Sequence, residues 1–193
     1  MNSTLPSVIE TSRLTLRSYR EGDASWYFEM SQRNHAHLQR YEPDNPVMEI
    51  KTEEDAKKTI AYFVNAWKKG TQFFMGVFLK ESEQFVAQIY IGSVNQNVPE
   101  FGIGYIAAVD HEGKGYVTEA VNAAVKSLFE ILDAHRIQIE TDDSNSRSIR
   151  VAERCGFVQE GHIRENKKNP DGTYSGTFYF GLLRYDFLTK KDI

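Results

Sequence analysis

The chain has 193 residues, a length that suits a single domain, 1–193, able to bury a sizeable core without disulfide or metal staples. Its 40% apolar and 26% charged residues are an ordinary globular mix, which excludes long disorder and a collagen-like repeat. A net charge of −4 leaves no basic footprint, so nucleic acid is not an expected partner. The single cysteine, Cys155, cannot form an internal disulfide or a cysteine-rich zinc site. The stretch from Met1 to Leu14 holds no signal-peptide core, and no apolar run is long enough to span a membrane. The expected compartment is the cytoplasm, with no membrane partner.

Taken in chain order, Leu14, Leu16 and Tyr19 alternate with polar residues, apart from one slip, and predict an opening strand. A helix is expected from Asp23 to about Arg33, with Trp26, Tyr27 and Met30 on one face. The next is clearer. Thr52 and Asp55 form a capping-box variant, Ala56, Ile60, Phe63, Val64 and Trp67 repeat at helical spacing, and Gly70 ends the run. Strands follow at Phe73–Leu79 and Phe85–Ile91 around a polar turn at Glu81–Glu83, and a third at Phe101–Val109. Val117, Ala120, Val121, Ala124, Val125, Leu128 and Leu132 then step by threes and fours, the most regular helix in the chain. Ile137 and Ile139 mark a short strand, Asn145–Arg154 a shorter helix stopped at Gly156, and two strands around a Pro170–Gly172 turn complete the order. The loose stretches Glu42–Pro46, Asn95–Pro99 and Asn166–Thr173 are too short to be linkers. The order is that of a mixed α/β domain.

Asp110 to Ala120 is expected to join a strand directly to a helix. Glycines at 113 and 115 let backbone approach a ligand, and the N–H groups of a helix start attract phosphate. The segment has neither the P-loop spacing nor the three-glycine dinucleotide fingerprint. A plain strand–helix turn explains Gly-Lys-Gly equally well. Downstream, Asn145 and Gly156 are a good N-cap and C-cap in their own right.

The glycine loop and the Asn145–Phe157 stretch together resemble the GNAT acyltransferases, which acetylate amines with acetyl-CoA. Glu10-Thr11-Ser12-Arg13-Leu14-Thr15-Leu16-Arg17, Ile103-Gly104-Tyr105 and Gly161-His162-Ile163-Arg164 make the likeness greatest to the RimJ/RimL-like branch, the ribosomal-protein N-terminal acetyltransferases and their relatives. The resemblance runs from about Glu10 to Phe187. It implies a mixed, mostly antiparallel central sheet flanked by helices, with splayed strands near Ile103–Val109 and Arg136–Thr141. Backbone at Ala107 and Val109 would hold the pantetheine arm, Glu112, Gly113, Lys114, Gly115, Tyr116 and Val117 would cup the pyrophosphate with Thr118 helping, and Asn145 would reach the pantetheine. The loop departs from the family pattern at Glu112, where Gln or Arg is usual, and at Val117, where a small residue is usual.

Acetyl transfer needs a neutral amine, a route for its proton, and stabilisation of the oxyanion and departing thiolate. The tyrosine that many members carry seven residues after the asparagine is replaced by Ala152. Ser148 stands where the branch has a serine proposed to assist the thiolate; a plain capping serine is the competing reading. The branch's glutamate before Ile-Gly-Tyr is replaced by Gly102, and Glu100 is a candidate base or an ordinary loop carboxylate. Glu119, in a first helical turn, reads as structural. Cys155 precedes a helix C-terminus, which disfavours a thiolate, so a packed thiol is expected rather than an acyl-enzyme nucleophile. His35 and His37 lack a third ligand, and no metal is expected. The aromatic run from Tyr174 to Phe187 is expected to cover the sheet. The reading is an N-acetyltransferase acting on a peptide N-terminus, with a polyamine or aminoglycoside acceptor, or a non-catalytic CoA-binding module, as alternatives. The oligomeric state is open.

Overall fold

The computed structural model describes residues 4–189 apart from Arg40, Asp44, Gln96 and Pro170; the last belongs to the expected Pro170–Gly172 turn and so lies outside the described residues. The elements are β1 (Val8–Glu10), β2 (Leu14–Ser18), α1 (Ala24–Leu38), α2 (Glu53–Lys69), β3 (Gln72–Leu79), β4 (Phe85–Asn95), β5 (Glu100–Ala107), α3 (Tyr116–Glu130), β6 (Arg136–Asp142), α4 (Ser146–Arg154), β7 (Val158–Lys168), β8 (Tyr174–Leu183) and α5 (Arg184–Thr189). The strands hydrogen-bond in the order β1-β2-β3-β4-β5-β6-β8-β7. The β1–β2, β2–β3, β6–β8 and β7–β8 pairs are antiparallel. The β5–β6 pair is parallel, in register from Glu100–Arg136 to Gly102–Gln138. The mixed, mostly antiparallel sheet expected from the sequence is present.

Contacts divide the chain into two compact units, one built from Pro6–Tyr90 and Tyr105–Ala120, the other from Ile91–Gly104 and the chain from Val121 onward, with Leu5. In the first unit α2 follows its sequence signals closely. Thr52 Oγ1 accepts from the Asp55 N–H at 3.2 Å, Asp55 Oδ2 accepts from the Thr52 N–H at 3.0 Å, and Gly70 closes the helix at φ 65°. Ala56, Ile60 and Phe63 are buried and pack with Tyr19, Tyr27, Met30 and Phe74, where Phe63 and Phe74 stack at 3.9 Å. Two phenols enter this core, and both donate to Gln88 Oε1, Tyr19 at 2.7 Å and Tyr27 at 3.0 Å.

Helix α1 runs past the expected end at Arg33 to Leu38. Its inward face there carries Ser31 and Asn34, which are buried but polar, so the apolar repeat breaks while the helix continues. Ser31 Oγ donates to the Phe28 carbonyl and Asn34 Nδ2 to the Met30 carbonyl, which gives both donors an acceptor within the helix. β1 has no counterpart among the expected strands; it is only three residues long and half exposed, too short for a period to register.

In the second unit α3 stops at Glu130, two residues before the expected end, because Asp133 takes a left-handed φ of 54° and the Ala134 N–H turns back to the Leu128 carbonyl. Arg184 caps the same end by donating to the Phe129 and Ala134 carbonyls. β7 continues to Lys168, into the stretch expected to be loose, and absorbs the polar residues through register shifts at Gln159/Gly161 and Ile163/Lys167. Ile137, Ile139, Phe157, Phe180 and Leu182 are among the buried residues of this unit.

Candidate active site

Two groups of sequence-predicted residues are found, one in each unit. In the first, β5 ends at Ala107. Val109 does not extend the strand as expected: it opens a 3-10 turn, Val109–His111, that separates strand from glycine loop. The cause is Asn34, whose Oδ1 accepts the Val109 N–H at 2.8 Å and bends the chain onto α1. The Val109 N–H is therefore taken by Asn34, and the Val109 carbonyl is the backbone group left for the expected contact to the pantetheine arm.

From Glu112 onward the backbone is extended, then left-handed at Gly113 (φ 72°) and again at Gly115 (φ 77°), after which α3 begins at Tyr116. Only glycine takes that conformation without strain, and a Cβ at Gly113 would meet nothing within 4 Å. The opening N–H groups of a helix have no intrahelical acceptor. In α3 the Glu119 N–H bonds back to the Gly115 carbonyl at 3.1 Å, so Tyr116, Val117 and Thr118 form the first turn. Successive amides around two left-handed glycines, at a positive dipole end, make a concavity suited to phosphate.

The loop is fastened from three sides. His37 of α1 lies 3.1 Å from Glu112 Oε1, and Lys114 Nζ donates to the Asp110 carbonyl at 3.0 Å. Glu119 is fastened most heavily. It accepts from Thr11 Oγ1 (2.6 Å), Ser12 Oγ (3.0 Å), the Arg13 N–H (3.0 Å) and Arg13 Nε (2.7 Å), with Arg13 Nη2 2.7 Å from Oε2. Burial pushes its pKa up, but these hydrogen bonds outweigh it and bring the carboxyl down to about 2. Glu119 is thus ionised and held, in line with a structural role. Burial and nearby Lys114 push His111 down from the ordinary histidine value, and its Nδ1 is buried without a partner among the described residues. The first unit also has a cavity of about 1110 Å³, lined by Arg17, Arg20, Trp26, Asn34, Phe78 and Phe85 among others.

In the second unit Asn145 caps α4, its Oδ1 accepting the Ser148 N–H at 3.2 Å. The turn before it is fixed by Asp142, which accepts from Ser144 N–H and Oγ and from Ser175 Oγ at 2.5 Å. Burial opposes that charge, yet the serine hydrogen bonds keep Asp142 below the usual carboxylate range. Ser148 lies in the first turn of α4 and is partly exposed; Ala152 is 0% exposed, so the position of the missing tyrosine is a packed alanine. Cys155 is buried, as a packed thiol would be.

Glu100 does not stand alone. Its Oε1 accepts from Arg136 Nε at 2.7 Å, and the other edge of that guanidinium pairs with Glu160. A Cβ at Gly102 would lie 3.4 Å from Val94 Cγ2 and 3.9 Å from Gln138 Cγ, ordinary van der Waals contacts. One pair leaves no signal in the sequence: His162 Nε2 lies 2.8 Å from Asp143 Oδ2, beside Gly176, where a Cβ would meet both. The spacing of 19 residues gives no local pattern. Of the aromatic run, Phe180 is buried and Phe187 stacks on Phe129, whereas Tyr174 and Tyr185 are exposed. His35 and His37 sit in the last turn of α1, and no group of three metal-ligating side chains occurs among the described residues. No helix of the described residues is long and apolar enough to cross a membrane.

The acetyltransferase (GNAT) domain family matches residues 13–158. The chain is 30% identical over 182 residues to the spermidine N(1)-acetyltransferase of Vibrio cholerae serotype O1, covering 94% of this chain and 99% of that one. It is 30% identical over 118 residues to a probable N-acetyltransferase of Bacillus subtilis, covering 61% of this chain and 65% of that one. The ribosomal protein uS5-alanine N-acetyltransferase of Escherichia coli is 25% identical over 166 residues, 84% of each chain. Among solved structures, a ribosomal L7/L12 α-N-protein acetyltransferase in complex with coenzyme A superposes with a TM-score of 0.83 at 18% identity, covering 91% of this chain and 97% of that one.

Proposed function

The chain belongs to the acetyltransferase (GNAT) family, the acetyl-CoA-dependent N-acetyltransferases, and we propose that its acceptor is a primary amine, with the N-terminal α-amine of a protein preferred. The observation that carries the cosubstrate assignment is the loop of two left-handed glycines opening directly onto α3. On this reading Gly113, Lys114, Gly115, Tyr116 and Val117 offer backbone N–H groups to the pyrophosphate, assisted by Thr118, while Glu112 holds the loop entrance to α1. Ala107, the Val109 carbonyl and Asn145 align the pantetheine arm. When bound, acetyl-CoA supplies an activated thioester carbonyl.

Ser148 then donates to the departing sulfur. A hydroxyl is a weak acid, so its part is to hydrogen-bond the developing charge and pass a proton on. Glu100 accepts the amine proton through water if its bond to Arg136 shifts. The acceptor preference follows from basicity: at pH 7 about one α-amine in seven is neutral, against about one lysine amine in 2500, from pKa values of about 7.8 and 10.4. A site whose candidate base is engaged by arginine is better matched to the amine that needs less help. The named ribosomal-protein relative favours the same class. A second reading, a polyamine acceptor, is favoured by the likeness to the spermidine enzyme along almost the whole chain.

Two peptides that differ only in whether the N-terminus or an internal lysine is blocked decide between amine classes, with spermidine and an aminoglycoside run beside them. Acetylation of the free N-terminus is expected. Turnover confined to spermidine, or mainly on lysine, refutes the preferred acceptor.

A further inference from the structure

We propose that Arg13 is a positioning residue for the phosphate-binding loop, cancelling the charge of Glu119 so that the start of α3 can accept a second anion. This rests on the loop being the acetyl-CoA phosphate site.

A carboxylate in the first turn of a helix is stabilised by the partial positive charge there. The same end is where the loop would hold pyrophosphate, so a fixed Glu119 competes for that charge and repels the ligand. The chain resolves the conflict from its N-terminal segment. Thr11, Ser12 and the Arg13 N–H saturate Oε1, while Arg13 Nε and Nη2 both reach Oε2 at 2.7 Å. The same guanidinium extends along the loop: Nη1 donates to the Lys114 carbonyl at 3.2 Å, Nη2 lies 3.6 Å from where a Gly115 Cβ would be, and the group sits 4.8 Å from the Tyr116 ring centre. One side chain therefore touches or abuts Lys114, Gly115, Tyr116 and Glu119, the two sides of the expected cradle. Lysine offers a single point of charge and could not span that set. With 49% of its side chain exposed, Arg13 also keeps part of its surface open to solvent.

Packing alone predicts that losing Arg13 costs stability. Charge cancellation predicts something more specific: removing Glu119's charge as well restores ligand binding. The dissociation constant of CoA by calorimetry, KM and kcat with acetyl-CoA, and KM with S-acetylpantetheine, which has no phosphate, are measured for the parent, Arg13→Ala, Arg13→Lys, Glu119→Gln and Arg13→Ala/Glu119→Gln. Arg13→Ala is expected to weaken CoA about tenfold or more, the scale for an exposed partner of a charge left unpaired, while kcat at saturation changes less. KM for S-acetylpantetheine stays near the parent value. The double variant recovers to within about threefold of the parent, Arg13→Lys falls between, and Glu119→Gln alone binds CoA at least as well.

Parent-like CoA binding by Arg13→Ala, or a double variant as weak as Arg13→Ala, overturns the proposal. If Arg13→Ala does not fold, weaker CoA binding by Glu119→Gln overturns it and unimpaired binding supports it. A parent that binds no CoA refutes the reading of the loop itself, which keeps the two failures apart.

Discussion

Gly115→Glu tests the loop where its conformation is most demanding. At φ 77° a residue with a Cβ is strained by about 1–2 kcal/mol, which for a chain of this length lowers Tm by about 2–8 °C without ligand. The added Cβ meets no clash, its nearest neighbour being Arg13 Nη2 at 3.6 Å, so the backbone cost is the main one. In the parent, CoA at about 100 times its dissociation constant stabilises the fold by about 2.7 kcal/mol, or about 5–11 °C. The new carboxylate lies in the expected phosphate cradle beside a guanidinium that already serves Glu119, so that ligand-induced rise should vanish. Gly115→Ala introduces the same strain without charge and should keep at least half of it. Scanning fluorimetry of the three proteins with and without CoA reads all of these quantities. A rise in Gly115→Glu as large as the parent's refutes the loop assignment, and complete loss in Gly115→Ala assigns the effect to strain instead of charge.

Ser148→Ala should lower kcat more than it weakens CoA, since only an interaction made in the transition state is lost; a change confined to affinity makes Ser148 a binding residue. Glu119 has a folded pKa near 2, below its unfolded value, so its contribution is complete above about pH 4.5 and is lost as pH falls through about 2. The stability gap between parent and Glu119→Gln should therefore be widest near neutrality and close over that window, and a gap independent of pH in urea titrations rules the linkage out. Gln88→Leu strands two buried phenols and should cost about 2–5 kcal/mol, whereas the triple change Tyr19→Phe/Tyr27→Phe/Gln88→Leu should recover most of it in the same titration.

Local signals are legible wherever local chemistry decides. The Thr52–Asp55 box and Gly70 bound α2 because caps are satisfied within a few residues, and the Asn145 cap marks α4 for the same reason. The end of α1 is not legible, since its buried face holds Ser31 and Asn34 where an apolar residue is the usual signal. Asn34 also explains the departure at Val109: a strand propensity is overruled by a hydrogen bond from 75 residues away. The glycine turn is legible in the sequence, and its likeness to the family together with Asn145–Phe157 marks it as a phosphate loop, but the contacts that hold it, from Arg13, Asn34 and His37, are not legible. Each acts across the fold and leaves no period in the chain. Glu100 shows the reverse limit, as a carboxylate on the expected strand whose pairing with Arg136 only the structure reveals.

The two carboxylates flanking the glycine loop pose one problem with two answers. A concavity of amides at a helix start attracts an anion because it is locally positive, and both Glu112 and Glu119 work against that. Each is met by a nitrogen from an element distant in sequence: His37 of α1 at 3.1 Å from Glu112, and Arg13 at 2.7 Å from Glu119. The compensation is unequal. Arg13 brings two guanidinium nitrogens to Glu119 Oε2, each at 2.7 Å, whereas His37 brings one ring nitrogen to Glu112 Oε1 at 3.1 Å. The departure from the family pattern at Glu112 is thus absorbed by a contact to α1 rather than by the loop. The same α1 face fixes Val109 through Asn34, one helical turn earlier. Placement of the loop against α1, and not its glycines alone, is what allows a carboxylate at its entrance.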